Sequence, residues 1–207
     1  MIFQHEIAAY LDQQIPERPP VLAEMEAYAA VKDFPIVGPL VGRYLYQTAL
    51  VSGARRVLEL GSGFGYSAYW FALALGGKGK VTLTDSSDDN LSRAKEYLQR
   101  AGLETKFKFQ VGDALEFARG IDKHFDIVFN DIDKEAYPDT IDLAAERLHP
   151  GGLFITDNLL WSGRVCDPDP DAATQGVLEF TRRLYADPRF FTTIVPLRDG
   201  LAVAVRL

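Results

Sequence analysis

Four side chains in the second half of the sequence are of the types and spacing that do chemistry. Phe125 to Asn130 reads as an apolar strand that ends on Asp131, with Asp133 and Lys134 directly after it; Leu153 to Thr156 reads as another that ends on Asp157-Asn158. In an open parallel sheet, ligands collect beyond the carboxyl ends of the strands. If these two strands are neighbours, Asp131, Asp157 and Asn158 converge with three oxygen donors. Two carboxylates held close together repel unless a cation or a proton lies between them. A set of hard oxygen donors without His or Cys suits Mg²⁺ first, with Ca²⁺ or Mn²⁺ as alternatives. The competing structural reading is that Asp and Asn at strand ends cap helices or close Asx turns.

A second constellation lies upstream, in Val57-Leu-Glu-Leu-Gly-Ser-Gly-Phe-Gly-Tyr-Ser67. A short apolar run passes into a turn with Gly61, Gly63 and Gly65. A helix follows, with Ala68, Phe71, Ala72 and Leu75 at i, i+3, i+4 and i+7. Glycines without Cβ atoms let a backbone approach a ligand closely. The dinucleotide fingerprint G-x-G-x-x-G is not met, because its third glycine position holds Tyr66. The next apolar run, Val81 to Leu83, leads to Asp85, close to the ~20-residue distance at which a carboxylate can accept from ribose hydroxyls. The glycine turn and Asp85 together resemble the class I S-adenosylmethionine (SAM) methyltransferases.

The elements that must position these residues follow a regular alternation. Strands are expected at 56–60, 80–84, 106–110, 125–130 and 153–156, and helices at 66–76, 88–101 and 114–119. A further helix is expected with Pro138 in its first turn, an apolar face of Ile141, Ala144, Ala145 and Leu148, and a stop at Pro150-Gly151-Gly152. Strands separated by helices imply crossovers and a parallel sheet. After a helix near 171–186, Phe190 to Val195 and Leu201 to Arg206 are joined through Arg198-Asp199-Gly200, a link suited to an antiparallel hairpin. The expected architecture is one α/β domain over 1–207 with a Rossmann-like, mostly parallel seven-stranded sheet and an antiparallel C-terminal strand. Residues 1–52, interrupted by five prolines, form a helical cap, and 53–207 form the α/β core.

Composition narrows the classes. A chain of 207 residues with 47% hydrophobic and 25% charged residues has the make-up of a globular protein. The net charge of −7, with no dense basic block, argues against a nucleic-acid partner. No apolar run reaches the ~20 residues of a membrane span, and His5 and Glu6 stand where a signal peptide would be basic or apolar, so no membrane partner and a cytoplasmic location are expected. One cysteine, Cys166, rules out an internal disulfide or a thiolate cluster, and the three scattered histidines disfavour zinc.

The strand-end motifs, Phe125-Asp-Ile-Val-Phe-Asn-Asp-Ile-Asp-Lys134 with Tyr137-Pro138 and Asp157-Asn-Leu-Leu-Trp-Ser-Gly-Arg-Val165, resemble the cation-dependent O-methyltransferases, the catechol and caffeoyl-CoA type. Gly112-Asp113-Ala114 and Pro196-Leu-Arg-Asp-Gly200 fit the same family, so the resemblance covers nearly everything after residue 36. It implies that Asp131, Asp157 and Asn158 bind the divalent cation and that Lys134 is the base, with Asp131 also part of the catalytic centre. It implies further that Glu59, Gly61, Gly63, Ser67, Asp85, Asp113, Ala114 and Asp131 hold SAM. The substrate implied is a small aromatic diol, and the assembly a homodimer. Phe64 departs from the family, which usually has a small or hydroxyl residue there. Trp161 either walls the substrate pocket or packs its loop. Rival readings are a metal-independent SAM methyltransferase acting on another acceptor, an NAD-dependent dehydrogenase, and a non-catalytic SAM-binding protein.

Overall fold

The computed structural model describes residues 5–207. Three helices, α1 (His5–Gln13), α2 (Pro20–Lys32) and α3 (Gly38–Val51), precede the first strand, β1 (Arg56–Leu60). The chain then alternates: α4 (Tyr66–Leu75), β2 (Lys80–Asp85), α5 (Asp88–Arg100), β3 (Lys106–Val111), α6 (Ala114–Arg119) and β4 (Phe125–Asn130). It continues through α7 (Thr140–Arg147), β5 (Leu148–Thr156), α8 (Ala172–Ala186), β6 (Phe190–Val195) and β7 (Leu201–Arg206). Among the described residues no helix is long and apolar enough to cross a membrane.

The seven strands form one sheet in the order β3-β2-β1-β4-β5-β7-β6. β1 to β5 are parallel, and β7 runs antiparallel to both β5 and β6. The expected fold class holds, including the hairpin at the C-terminus. Strand order reverses across β1 and β4, the topological switch at which open α/β sheets bind ligands.

Alternation of side chains along each strand builds two cores. Val57, Ile127, Phe129 and Ile155 pack with α2 to α5 on one face; Leu58, Leu60, Val128 and Phe154 pack with α6 to α8 on the other. The central strands are covered on both sides, which is why they read as nearly continuous apolar runs.

Two boundaries differ from the sequence expectation. Pro138 lies in a separate 3-10 turn, Lys134–Asp139, ahead of α7, and its missing N–H is tolerated there. Leu148 belongs to β5 and not to α7. Phe125 pairs with Leu148 while Ile127 pairs with Leu153, so the intervening residues, Pro150-Gly151-Gly152 among them, are accommodated as a register irregularity inside the strand. β5 is thus nine residues long where only its last four were expected.

Candidate active site

Every turn at the carboxyl ends of β1 to β5 opens into one cleft of about 760 Å³. Of the residues expected to act, Gly61, Gly63, Ser67, Asp85, Asp113, Ala114, Asp131, Lys134, Asp157 and Asn158 line it. Glu59 does not. It alternates with Val57 onto the α4 side of β1 and is fully buried beneath the glycine turn. Burial pushes its carboxyl up to about 8; the Ser67 and Ser62 hydroxyls, near but outside hydrogen-bonding geometry, pull the other way, and the Asp131 charge adds to the rise.

The glycine turn fits its surroundings closely. Gly61 has φ +78°, and a Cβ there would lie 2.4 Å from the carbonyl oxygen of Asp131. The turn after β1 therefore presses directly on the chain leaving β4, where the Asp131 N–H donates to Leu60 O at 2.9 Å. Asp85 is pinned at the tip of β2. Its Oδ2 accepts from Gly63 N–H at 2.8 Å, and its Oδ1 from Ser87 N–H at 2.9 Å and Asn90 Nδ2 at 3.1 Å. Acceptor capacity remains on the carboxylate for a ribose hydroxyl. Asp113 is the N-cap of α6 and accepts from Glu116 N–H at 2.7 Å. With the carboxylate committed to the cap, the Asp113-Ala114 pair is fixed at the rim beside Gly112.

β4 and β5 are neighbours, as the metal reading requires: Asn130 pairs with Thr156, so Asp131 and Asp157 leave adjacent strands at the same level. Asp157 is buried, and its Oδ1 has no hydrogen-bond partner among the described residues. Burial raises its carboxyl well above the usual carboxylate range, and the charge of Asp131 raises it further; Asn158 N–H, Arg198 and Lys134 pull it back. Asn158 takes a left-handed backbone, φ +63°, a conformation Asn tolerates better than most residues. Its Nδ2 donates to Asp199 Oδ2 at 3.3 Å. That bond identifies which end of the amide faces Asp199 and leaves the carbonyl oxygen as a donor atom for a cation. An orphaned buried carboxylate oxygen, a second carboxylate beside it and an amide oxygen are a set that fits a hard dication.

Lys134 closes the group from below. Its Nζ lies 3.0 Å from Asp131 Oδ1 and 3.2 Å from Ile132 O. The ammonium also stands 5.0 Å from the centre of the Tyr137 ring and 5.4 Å from that of Trp161. Tyr137, fully buried, donates its hydroxyl to the Asp157 carbonyl at 3.0 Å. One tyrosine thus ties the lysine turn to the β5 exit. α8 seals the outside of that turn: a Cβ on Gly176 would meet Lys134 O at 2.2 Å. Trp161 lines the cleft and carries Arg164 over its ring, with Cζ 4.2 Å from the ring centre.

Residues not singled out from the sequence complete the walls. Phe34 to Val37, between α2 and α3, lie along the mouth, and Arg198 and Asp199 reach it from the β6–β7 link. Residues 34–37 carry only a generic loop signal in the sequence, and Arg198 and Asp199 lay in a motif that matched the family without an assigned role. Phe64, the departure from the family pattern, is accounted for by packing. Its buried ring meets Phe34 at 4.9 Å, Tyr28 at 5.2 Å and Tyr97 at 6.1 Å, so it bolts α2 and α5 to the glycine turn.

This sheet order, with a glycine turn after β1, a carboxylate at the tip of β2 and the cleft at the switch point, defines the class I methyltransferase fold. The O-methyltransferase family model matches residues 14–207, and the chain belongs to that family. It is 30% identical to the catechol O-methyltransferase of Niastella koreensis over 179 residues, 82% of this chain and 81% of that protein. It is 32% identical to caffeoyl-CoA O-methyltransferase 1 of Eucalyptus globulus over 179 residues, 80% and 72% of the two chains. Among solved structures, the Bacillus cereus O-methyltransferase in complex with SAH superposes with a TM-score of 0.87 at 28% identity, covering 98% of this chain and 97% of that one. A methyltransferase from Geobacter sulfurreducens gives 0.86 at 33% identity, with both chains covered in full.

Proposed function

We propose that this O-methyltransferase moves the SAM methyl group to one hydroxyl of a small vicinal diphenol, a catechol or caffeoyl-like compound, with a divalent cation held by Asp131, Asp157 and Asn158. One observation carries the reading. The two adjacent strand ends supply three oxygen donors to the same cleft as the glycine turn, and one of them, Asp157 Oδ1, is buried without any partner. Such an oxygen is costly to leave unsatisfied.

When bound, the cation supplies a positive charge that favours ionisation of a phenol whose ordinary pKa is ~10. The chain's own residues do the rest. Gly61, Gly63, Ser67, Asp85 and the Asp113-Ala114 pair orient the donor, and Asp131 lies where the donor and acceptor halves of the cleft meet. Lys134, whose Nζ is held 3.0 Å from Asp131, is the group placed to take the proton of the hydroxyl at the metal ligands, acting as the neutral amine and becoming the ammonium. Trp161 and Ile132 wall the acceptor side. Fixing one oxygen against the sulfonium methyl then contributes much of the rate.

The test is a chelator series with labelled SAM and a panel of ortho-diphenols. Activity should vanish with EDTA and return with Mg²⁺; activity that survives exhaustive chelation points instead to a metal-independent methyltransferase. Labelled product from monophenols as readily as from diphenols would defeat the diol assignment.

A further inference from the structure

The link between β6 and β7 carries an anomaly. Arg198 has φ +54°, a backbone conformation disfavoured for any residue with a Cβ and free of cost for glycine. Such a conformation persists where the surrounding structure over-determines it. Arg198 is exposed at the cleft mouth, and among the described residues no carboxylate stands within ion-pair distance of its guanidinium. Its hydrogen bond goes to a neutral partner 162 positions away in sequence, the carbonyl oxygen of Ile36. The guanidinium also lies flat against Gly38, where a Cβ would be 3.2 Å from one of its terminal nitrogens.

Ile36 belongs to the short strip Phe34 to Val37 that runs along the cleft between α2 and α3. Its first residue is anchored on the cofactor side, with the Phe34 ring 4.9 Å from that of Phe64 and against Gly63. Its middle is anchored on the opposite side, by Arg198 alone of the side chains that donate to it among the described residues. The same link holds Asp199, which orients Asn158. A single turn therefore touches both the strip over the donor and the proposed cation ligands.

We propose that Arg198 is a positioning residue that straps Phe34–Gly38 across the mouth of the cleft, so that retention of SAM depends on a side chain from the acceptor side. The proposal rests on the functional reading only for the identity of the ligand. The strap itself is a property of the chain without ligand.

Two variants separate the strap from a merely structural role. In Arg198→Gly the left-handed position becomes unstrained, so the melting temperature stays within about 2 °C of the unmodified protein or rises. Amide exchange at Ile36, Val37 and Gly38 in the cofactor-free protein should nevertheless accelerate. By calorimetry without added metal, SAM should bind about 5–10-fold more weakly, with KM for SAM rising. Arg198→Lys keeps one donor and should recover most of the affinity. Unchanged exchange across 36–38 together with unchanged SAM affinity in Arg198→Gly would overturn the proposal, as would a Lys variant no better than Gly. If the unmodified protein fails to bind SAM, the functional reading falls, and the exchange measurement still decides the strap.

Discussion

Replacing Gly61 by alanine is the sharpest probe of how the two halves of the site depend on each other. Gly61 and Gly53 share nearly the same backbone, φ +78° and +66°, but their surroundings differ completely. Around Gly53 a Cβ would meet nothing within 4 Å, so Gly53→Ala carries only the left-handed penalty, about 1–2 kcal/mol. At Gly61 the new methyl would lie 2.4 Å from Asp131 O, 2.9 Å from its carbonyl carbon and 3.1 Å from Ile132 N. Carbon and oxygen in contact sit ~3.3 Å apart or more, so the backbone of β1 or β4 must yield by roughly 1 Å. The atoms that yield carry Asp131, and a displacement of that size costs on the order of 10²-fold in rate. Gly61→Ala should therefore lose about the same stability as Gly53→Ala plus up to ~2 kcal/mol of steric cost, and lose activity on a catechol about a hundredfold more. Thermal unfolding and initial rates with saturating SAM measure the two quantities. A Gly61→Ala enzyme within threefold of the Gly53→Ala control would refute the idea that the turn sets the position of Asp131.

Other perturbations probe separate parts of the site. Asp157→Asn removes a buried charge facing Asp131, so the protein without added metal should melt higher; on the proposed ligand set, added Mg²⁺ should stabilise the unmodified chain and not this variant, and a variant that still gains stability with Mg²⁺ contradicts the ligand assignment. Phe64→Ala empties the centre of the aromatic cluster and should cost about 3–5 kcal/mol in denaturant unfolding. Loss of under ~1 kcal/mol would mean that α2 is not bolted through this ring. At the opposite, amino-terminal end of the central strands, Asp126 accepts from Arg55 N–H and Arg56 N–H at 2.8 and 2.7 Å and from His149 Nε2 at 2.6 Å. Burial raises the Asp126 carboxyl, but its bonds to His149 and to the two backbone amides outweigh that and leave it lowered; His149 is raised by its bonds to Pro150 O and Asp126. A raised histidine stabilises below its ordinary pKa of 6.5 and loses that contribution as pH climbs through the folded value. A lowered aspartate stabilises above its ordinary 3.8 and loses it as pH falls. The pair should hold best between about pH 4 and 6.5, with a gain below ~1 kcal/mol because the histidine side chain is 42% exposed. Melting temperature against pH for His149→Gln should lack the decline that the unmodified chain shows above that window.

Much of this architecture can be read from residue order because the physics is local or periodic. Val57-Leu58 and Val81 to Leu83 are short apolar runs flanked by turn residues, and no other fold covers both faces of such strands so economically as helices on either side. The hairpin at the C-terminus was legible from the short link through Arg198-Asp199-Gly200, five residues in all between Val195 and Leu201. Two boundaries were not. Leu148 sits at the right spacing for the apolar face of α7, yet its carbonyl environment is decided by pairing with Phe125 across the sheet, a contact 23 positions away that no periodicity encodes. Pro138 favours a first helical turn in general, but here the 3-10 turn it joins is shaped by the docking of α8 on Lys134.

The site was legible to the extent that its residues end strands. Asp85, Asp131 and Asp157 could be placed because each terminates an apolar run, and the strand-end rule brings such residues together. Glu59 was placed by the resemblance alone: it precedes the end of β1 by one residue, and alternation turns it into the α4 layer, fully buried beneath the glycine turn. Phe34 escaped, and Tyr137, Arg198 and Asp199 were seen only as parts of motifs without a role, for the complementary reason: each acts through a long-range contact. Tyr137 matters through the Asp157 carbonyl, Asp199 through the Asn158 amide, Phe34 through Phe64 and Arg198 through the Ile36 carbonyl. The chemistry-bearing groups of this protein are thus set by where strands stop, while the groups that aim them are set by which loops happen to meet, and only the first of these is written in the local sequence.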